Sequence, residues 1–198
     1  MKLSQAKRDF YRKRAKKEGY RSRAAYKLAE LVNRYHLIIE DDYVVDFGCA
    51  PGGWLQVASE RVGPDGKVFG FDLKKVNIQL NNVFTYTLDI FSPQALDFVR
   101  KSIIFEVDVI LSDLSQNITG VWEVDHTRQI DLTMKVIDMI PHLLKPEGNC
   151  VFKIFQGDYF QDVRDKLKGM FKKVLITKPS ASRKESSEIY FVCLSYLR

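Results

Sequence analysis

The sequence predicts a single α/β domain built on an open, Rossmann-like sheet. Three observations support this prediction: short apolar runs alternate with helical patterns, a glycine-rich turn follows the first apolar run, and an acidic residue ends the second. Strands separated by helices at this spacing pair in parallel through right-handed crossovers. At 198 residues and 45% hydrophobic composition, the chain has the usual size of one domain with its own core.

Seven apolar runs have the length and composition of strands. In chain order they are Tyr43–Phe47, Lys67–Leu73, Phe84–Ile90, Val107–Leu111, Asn149–Phe155, Lys173–Thr177 and Glu188–Leu194. Helical patterns begin near Arg21 and then occupy Trp54–Val62, Pro93–Ser102, Asp125–Leu144 and Asp158–Phe171. Because residues 178–187 lack a helical period, the last two strands are expected to pair antiparallel at one end of the sheet. The predicted fold is therefore a mostly parallel seven-stranded sheet with a terminal antiparallel strand and helices on both faces.

Positive charge is concentrated at the N-terminus. Residues 1–23 contain ten lysines and arginines but only two acids, whereas the rest of the chain is nearly neutral, within a net charge of +6. We therefore divide the chain into a basic N-terminal extension, residues 1–20, and a domain of residues 21–198. Phe10, Tyr11 and Tyr20 lie among the charges. This pattern favours RNA, with phosphates held by the cations and bases stacked on the rings, although many charge runs are simply solvated.

The sequence lacks the features of secreted and membrane proteins. Cys49, Cys150 and Cys193 are far apart, form no C-x-x-C pair and lie in or beside apolar runs. This usage favours reduced thiols and a cytoplasmic protein. The basic N-terminus differs from a signal peptide, and no apolar run reaches the roughly 18 residues that a membrane span requires. We expect a cytoplasmic protein with no membrane partner.

The glycine-rich turn, residues 48–54, is the first candidate ligand loop. Glycines allow the chain to turn sharply and approach a ligand, and the following helix presents unpaired N–H groups. Asp72 ends the second strand nineteen positions after Gly53, which is the spacing of a carboxylate that binds ribose hydroxyls. Pro51 removes one N–H group and so disfavours nicotinamide cofactors. Asp89, which ends the third strand, could accept from an adenine amino group or could simply be solvated.

A lysine within the fifth strand is the first candidate for catalysis. An ammonium in an apolar strand is costly unless it is paired, so Lys153 requires a partner. Asp113 follows the neighbouring fourth strand and is the expected partner, either in a catalytic site or in a salt bridge that merely closes the sheet. Because the last strand is antiparallel, its first residue, Glu188, is expected at the same edge.

Taken together, these motifs resemble the FtsJ (RrmJ-like) family of RNA ribose 2′-O-methyltransferases. The resemblance extends from about Ser22 to Leu194 and rests on S-R-A-A-Y-K-L, D-F-G-C-A-P-G-G-W, V-F-K-I-F-Q-G and S-S-E-I-Y. It implies the class I methyltransferase fold, S-adenosylmethionine as cofactor and no metal ion. The family's catalytic tetrad falls on Lys27, Asp113, Lys153 and Glu188. The expected cofactor contacts are Gly48, Pro51, Gly52, Gly53, Trp54, Asp72, Asp89 and Asp113.

The chain departs from the family after the fourth strand. The family usually has D-x-A-P-N there, whereas this chain has Asp113-Leu114-Ser115-Gln116-Asn117, without the proline. The acid and the asparagine are retained, so the chemistry is expected to persist. The loop beside the target nucleotide is expected to differ in shape.

The resemblance implies methyl transfer to the ribose of a uridine in large-subunit ribosomal RNA. Our hypothesis is that Lys153 acts as general base, held by Asp113 and Glu188, while Lys27 orients the hydroxyl and stabilises its developing charge. A transfer-RNA anticodon loop and a messenger-RNA cap are alternative substrates.

From other classes, a non-catalytic RNA-binding assembly factor and a small-molecule or protein methyltransferase also stay open. We expect a monomer whose partner is ribosomal RNA or the large ribosomal subunit rather than DNA.

Overall fold

The computed structural model describes residues 3–115, 120–183 and 186–198, which form helices and strands in the predicted alternation. The helices are α1 (Leu3–Lys17), α2 (Ala25–Tyr35), α3 (Gly53–Val62), α4 (Ala95–Ile103), α5 (Trp122–Leu143) and α6 (Phe160–Lys168). The strands are β1 (Tyr43–Phe47), β2 (Lys67–Asp72), β3 (Val83–Thr87), β4 (Val107–Ser112), β5 (Leu144–Phe155), β6 (Phe171–Thr177) and β7 (Glu188–Tyr196).

The predicted fold class is confirmed, and the strand boundaries differ most from the prediction at β3 and β5. β3 ends at Thr87 rather than at Ile90, because Leu88 and Ile90 pack into the core from the following loop and only mimic a continued strand. β5 begins at Leu144, five residues before its predicted start, because Leu144 pairs with Val107 of β4 ahead of a register shift. The turn-like residues 145–148 conceal that pairing in the sequence.

The sheet has the strand order β3-β2-β1-β4-β5-β7-β6. Strands β1 to β5 pair in parallel, whereas β7 pairs antiparallel with β5 and with β6. The antiparallel strand is thus terminal in the chain but lies inside the sheet, and β6 forms the edge. The order reverses between β1 and β4, and ligands of open α/β sheets bind at the carboxyl ends of the strands beside such a reversal.

Apolar layers cover the sheet on both faces, because neighbouring strand residues point to opposite sides. Val44 belongs to the layer that packs against α2 and α3, whereas Val45 belongs to the layer that packs against α4, α5 and α6. Strands buried on both faces read as continuous apolar runs, which explains why these runs predicted the sheet.

The N-terminal extension adds a helix, α1, to the elements that the sequence predicts. Ala15 is buried, the Tyr11 hydroxyl lies 3.2 Å from that of Ser180, and the Arg14 guanidinium lies 4.8 Å from the centre of the Tyr26 ring. These contacts seat α1 on α2 and on the segment between β6 and β7. The division of the chain at residue 20 stays a prediction. In the described part of the chain, no helix combines the length and apolar character that a membrane crossing requires.

Candidate active site

A cavity of about 620 Å³ opens at the carboxyl ends of β1, β2 and β4. Its polar wall includes Asp72, Asp89 and Asp113, three of the acids predicted from the sequence. Its apolar wall includes Phe47, Phe71, Leu88, Ile90, Phe91 and Leu132. A cavity of this size with a few carboxylates on apolar walls is typical of a small-molecule site.

Two glycines give the loop after β1 its shape. Gly48 has a φ of +81°, and a Cβ added there would lie 2.8 Å from the backbone of Leu114. Gly52 has a φ of +109°, and a Cβ there would lie 3.0 Å from the Arg21 side chain. Only glycine adopts such angles without strain, so both positions require it. Gly48 also lines the cavity.

The acids at the first strand ends are held by nearby backbone groups. Asp72 accepts hydrogen bonds from the N–H groups of Ala50 and Lys74, at 2.9 and 2.8 Å. Asp89 accepts one from the N–H of Phe91 at 2.9 Å. Both side chains line the cavity and retain unused acceptor sites, because a carboxylate accepts about four hydrogen bonds.

The second half of the glycine-rich turn faces away from the cavity wall. The Trp54 side chain is buried, and its indole N–H donates to the carbonyl of Ala24 at 2.9 Å. A Cβ on Gly53 would meet the Ser22 hydroxyl, and the Pro51 carbonyl, which follows a cis peptide bond, accepts from Arg21. Direct cofactor contacts by Pro51, Gly52, Gly53 and Trp54 therefore stay predictions.

Lys153 pairs with Asp113, as the sequence predicted. Its Nζ lies 3.1 Å from Asp113 Oδ1 and donates to the Asp113 carbonyl at 2.8 Å. The Lys153 side chain is only 6% exposed, so this pair is shielded from water. Asp113 also lines the cavity, and it therefore joins the paired lysine to the candidate cofactor site.

Lys27 and Glu188 form a second ion pair close to the first. Lys27 Nζ contacts Glu188 Oε1 and also donates to the Tyr190 hydroxyl at 3.1 Å. That hydroxyl lies 3.1 Å from Asp113 Oδ1 and 3.0 Å from Glu188 Oε1. Tyr190 thus links both ion pairs, and the structure brings the predicted tetrad of Lys27, Asp113, Lys153 and Glu188 together around one phenol.

Burial and charge act in opposite directions on Glu188. Burial raises the pKa of its carboxyl, but Lys27 first and then Lys153 lower it, and the net pKa is below the ordinary value of 4.5. Burial raises the pKa of Tyr190 well above its ordinary value, and Asp113 and Glu188 raise it further. At neutral pH Glu188 is therefore ionised, and the neighbouring Tyr190 is neutral and can donate one hydrogen bond.

A buried carboxyl group stands behind the cavity at Asp46. It is fully buried, and neither of its oxygens has a hydrogen-bond partner among the described residues. Burial, followed by repulsion from Asp113 and Asp72, raises its pKa well above the ordinary value. Its surroundings therefore favour the protonated form of Asp46, which limits the negative charge behind the cavity.

Sequence reasoning missed several residues of the site. Tyr190 stands in an apolar strand, where an aromatic residue normally indicates core packing. Its place in the site becomes visible only from its position opposite Lys153 in the β5–β7 pair. Gln129 on α5 donates to the carbonyl of Leu114 at 3.0 Å, and Arg128 and Asp131 line the cavity. Polar and charged residues on a helix are usually solvated, so the sequence gave no local indication that these three lie at the site. The loop after Ser115, where Gln116 replaces the family's proline and a different shape is expected, lies outside the described residues.

The chemistry of the cavity fits S-adenosylmethionine. Carboxylates on one wall match a cation with ribose hydroxyls and an amino group, and apolar surfaces match a purine ring. Asp72 and Asp89 provide acceptors at two successive strand ends, and Asp113 lies beside the tetrad. No cluster of three or more potential metal-ligating side chains occurs in the described part of the chain.

Known proteins are similar to this chain over nearly its whole length. The family model of FtsJ-like methyltransferases matches residues 20–196. The chain is 43% identical to ribosomal RNA large subunit methyltransferase E of Nitrosopumilus maritimus, over 100% of each chain. It is 45% identical to the protein of that name from Methanocaldococcus jannaschii, over 97% of this chain and 80% of the relative.

Solved structures give the same picture. A protein of Plasmodium falciparum, provisionally described as a ribosomal RNA methyltransferase, is 33% identical with a TM-score of 0.80, over 90% of this chain and 99% of that one. Aeropyrum pernix fibrillarin, solved with bound S-adenosylmethionine, has a TM-score of 0.61 over 88% of this chain and 75% of its own, at 16% identity. The second likeness concerns the fold alone.

Proposed function

Because this chain belongs to the FtsJ-like methyltransferase family and uses S-adenosylmethionine, we propose that it methylates a ribose 2′-hydroxyl of large-subunit ribosomal RNA. The observation that carries the proposal is the double role of Asp113, which lines the cofactor cavity and also pairs with Lys153. A methyl donor in the cavity and an acceptor hydroxyl at the tetrad would therefore meet at one residue.

Cofactor binding is assigned to the strand ends that border the cavity. S-adenosylmethionine supplies an electrophilic methyl group on a positively charged sulfur. Asp72 is the candidate partner of its ribose hydroxyls, and Asp89 that of its adenine amino group. The glycine-rich backbone at Gly48 lets the loop approach the bound molecule closely.

Positioning accounts for most of the catalysis that we infer. Holding the reacting atoms in line removes an entropic barrier of up to about 7–11 kcal/mol in well-oriented systems. Lys27 presents a buried ammonium to the place where the ribose oxygen would gain negative charge. The opposing acids Asp113 and Glu188 fix the nitrogens of Lys153 and Lys27, and Tyr190 fixes the acids.

Proton removal is assigned to Lys153. The 2′-hydroxyl loses its proton during or after attack, and a base within hydrogen-bond distance must be neutral at that moment to accept it. The ammonium that results stays paired with Asp113. Lys27, whose Nζ is engaged by Glu188 and Tyr190, is the candidate for orienting the hydroxyl.

An assay of methyl transfer to different RNAs tests the function. The protein is incubated with tritiated cofactor and, separately, with large ribosomal subunits, naked ribosomal RNA and transfer RNA from cells that lack the gene. A methylated 2′-oxygen cannot attack the adjacent phosphate, so labelled dinucleotides that resist alkali identify ribose methylation. We expect them from the large subunit or its RNA. Label in transfer RNA alone would show that ribosomal RNA is not the substrate. Label in the bases would show that the ribose is not the methylated group.

The same assay also tests the alternative function from another class, a non-catalytic RNA-binding assembly factor. A non-catalytic assembly factor would bind ribosomal RNA and leave every sample unlabelled. The presence of all four tetrad residues argues against that function, since a binding protein has no use for two buried ion pairs beside a cofactor cavity. The choice of uridine as target nucleotide stays a prediction, which mapping of the labelled position would test.

A further inference from the structure

Arg21 lies where the N-terminal extension meets the glycine-rich turn. Its guanidinium donates from Nη1 to the carbonyl of Pro51 at 3.1 Å and from Nη2 to the carbonyl of Asn77. Pro51 belongs to the turn after β1, and Asn77 to the segment between β2 and β3. One side chain therefore joins the segments that follow β1 and β2, two of the strands that border the cofactor cavity.

The backbone around Arg21 is fixed to the start of α3. The Arg21 N–H donates to the Gln56 side chain at 2.7 Å, and the amide of Gln56 donates to the carbonyl of Gly19 at 2.9 Å. The Trp54 indole adds the bond to Ala24. Residues 19–24 thus pack on the first turns of α3, which begins immediately after the glycine-rich turn.

The same guanidinium borders a basic groove, which we define by Arg12, Lys13, Lys16, Tyr20, Arg21 and Arg23. The groove has a volume of about 600 Å³ and runs between α1 and the segment before α2. Five cations around a concave surface suit the phosphates of an RNA strand, and contacts of that kind hold a nucleic acid in register. A guanidinium has five N–H donors, so two carbonyl acceptors leave others for a phosphate.

We propose that Arg21 is a positioning residue through which RNA in the basic groove and the cofactor strengthen each other's binding. The proposal rests on the proposed function, because it requires an RNA substrate. A phosphate on Arg21 restricts the guanidinium and so fixes the carbonyls of Pro51 and Asn77 before the cofactor arrives. The second ligand then loses less conformational entropy when it binds. By thermodynamic linkage, RNA strengthens cofactor binding by the same factor as the cofactor strengthens RNA binding.

Calorimetric titration tests the coupling without any turnover. S-adenosylhomocysteine, which has no methyl group to donate, is titrated into the full chain with and without a saturating 20-nucleotide oligouridylate. We expect RNA to tighten its binding about fivefold or more in the wild type, the lower end of ordinary allosteric coupling. In Arg21→Met the ratio of the two dissociation constants is expected to fall to one. Arg21→Lys, which cannot reach two carbonyls with one planar fork, is expected to lose most of the coupling while keeping the charge.

Lys16→Met is the matched control, since it removes one charge from the same groove on the α1 side. It is expected to weaken RNA binding like Arg21→Met but to retain the wild-type ratio. A wild-type ratio within twofold of one, or a normal ratio in Arg21→Met and Arg21→Lys, would overturn the coupling and leave the proposed function intact. A wild-type protein that binds neither RNA nor S-adenosylhomocysteine would instead overturn the proposed function, and the coupling with it.

Discussion

The cofactor cavity and the tetrad share Asp113, yet their polar groups are fixed in different ways. In the cavity, Asp72 and Asp89 accept hydrogen bonds from backbone N–H groups of the loops after β1, β2 and β3. In the tetrad, the side chains bind one another across four elements, and the two ammonium groups are nearly inaccessible to water. Removing one cavity acid therefore leaves its neighbours in place. Removing one tetrad residue leaves a buried partner without its counterpart, and such a loss affects the whole network.

The largest effect is expected from Lys153→Met, which separates the two regions most clearly. Loss of a general base typically costs about 10²–10⁴-fold in rate, and we expect methyl transfer to RNA to fall within that range. Affinity for S-adenosylhomocysteine, measured by calorimetry, should stay within about twofold. Lys153→Arg is the control for charge, because arginine stays protonated, and it should fail as well. Turnover near the wild-type rate in either variant would show that Lys153 is not the base.

Asp113→Asn is expected to affect both regions, because the side chain belongs to each. Loss of one charge-assisted hydrogen bond costs about 1.5–3 kcal/mol, so S-adenosylhomocysteine should bind roughly tenfold or more weakly while the turnover number also falls. Calorimetry and single-turnover rates at saturating cofactor distinguish the two effects. If only the affinity or only the turnover number changed, Asp113 would act in one region alone, and its proposed role in both the cavity and the tetrad would be wrong.

Asp72→Asn should act on the cavity alone. We expect affinity for S-adenosylhomocysteine to fall about tenfold, at the lower end of the cost of a lost hydrogen bond to a charged group. Turnover at saturating cofactor should be close to normal, because Asp72 makes its side-chain bonds to Ala50 and Lys74 rather than to the tetrad. A tenfold loss in the saturated rate would mean that the cavity and the tetrad are not independent.

The smallest effect concerns the pH dependence of stability. The folded-state pKa of Glu188 is below its ordinary value of 4.5, so its ionic contribution is present above that pH and is lost as the pH falls through the folded pKa. Glu188→Gln should therefore lower the melting temperature most above pH 5, and the difference from wild type should shrink below pH 4. Each kcal/mol lost corresponds to about 2–4 °C in a protein of this size.

Asp138→Asn is the matched control for that measurement. It breaks an exposed ion pair with Lys166, a type that contributes only about 0–1 kcal/mol. A pH-independent difference in Glu188→Gln, or an equal difference in Asp138→Asn, would contradict the buried pairing of Glu188 with Lys27.

The two regions also differ in how far the sequence could predict them. Asp72 and Asp89 follow successive apolar runs, and residues at the carboxyl ends of parallel strands meet by the rules of the fold, so they could be placed from spacing. Lys153 could be predicted to have a charged partner, because it stands in an apolar strand. Lys27 carried no such signal, and only the family resemblance pointed to it. Tyr190 was indistinguishable from an ordinary core aromatic.

The amino-acid sequence by itself determined the alternating elements, the parallel sheet, the acids at the strand ends and the concentration of charge in the N-terminal extension. Periodicity and spacing are local properties, and hydrophobic burial translates them directly into strands and helices. Only the tertiary structure decided that β7 inserts between β5 and β6. Strand order depends on which strand edges pair with each other, and that pairing is not a local property of the sequence. That insertion sets Tyr190 opposite Lys153 and brings Glu188 to Lys27. The folded chain was also needed to bring Arg21 to Pro51 and Asn77, since contacts between residues so distant in sequence exist only once the layers have packed.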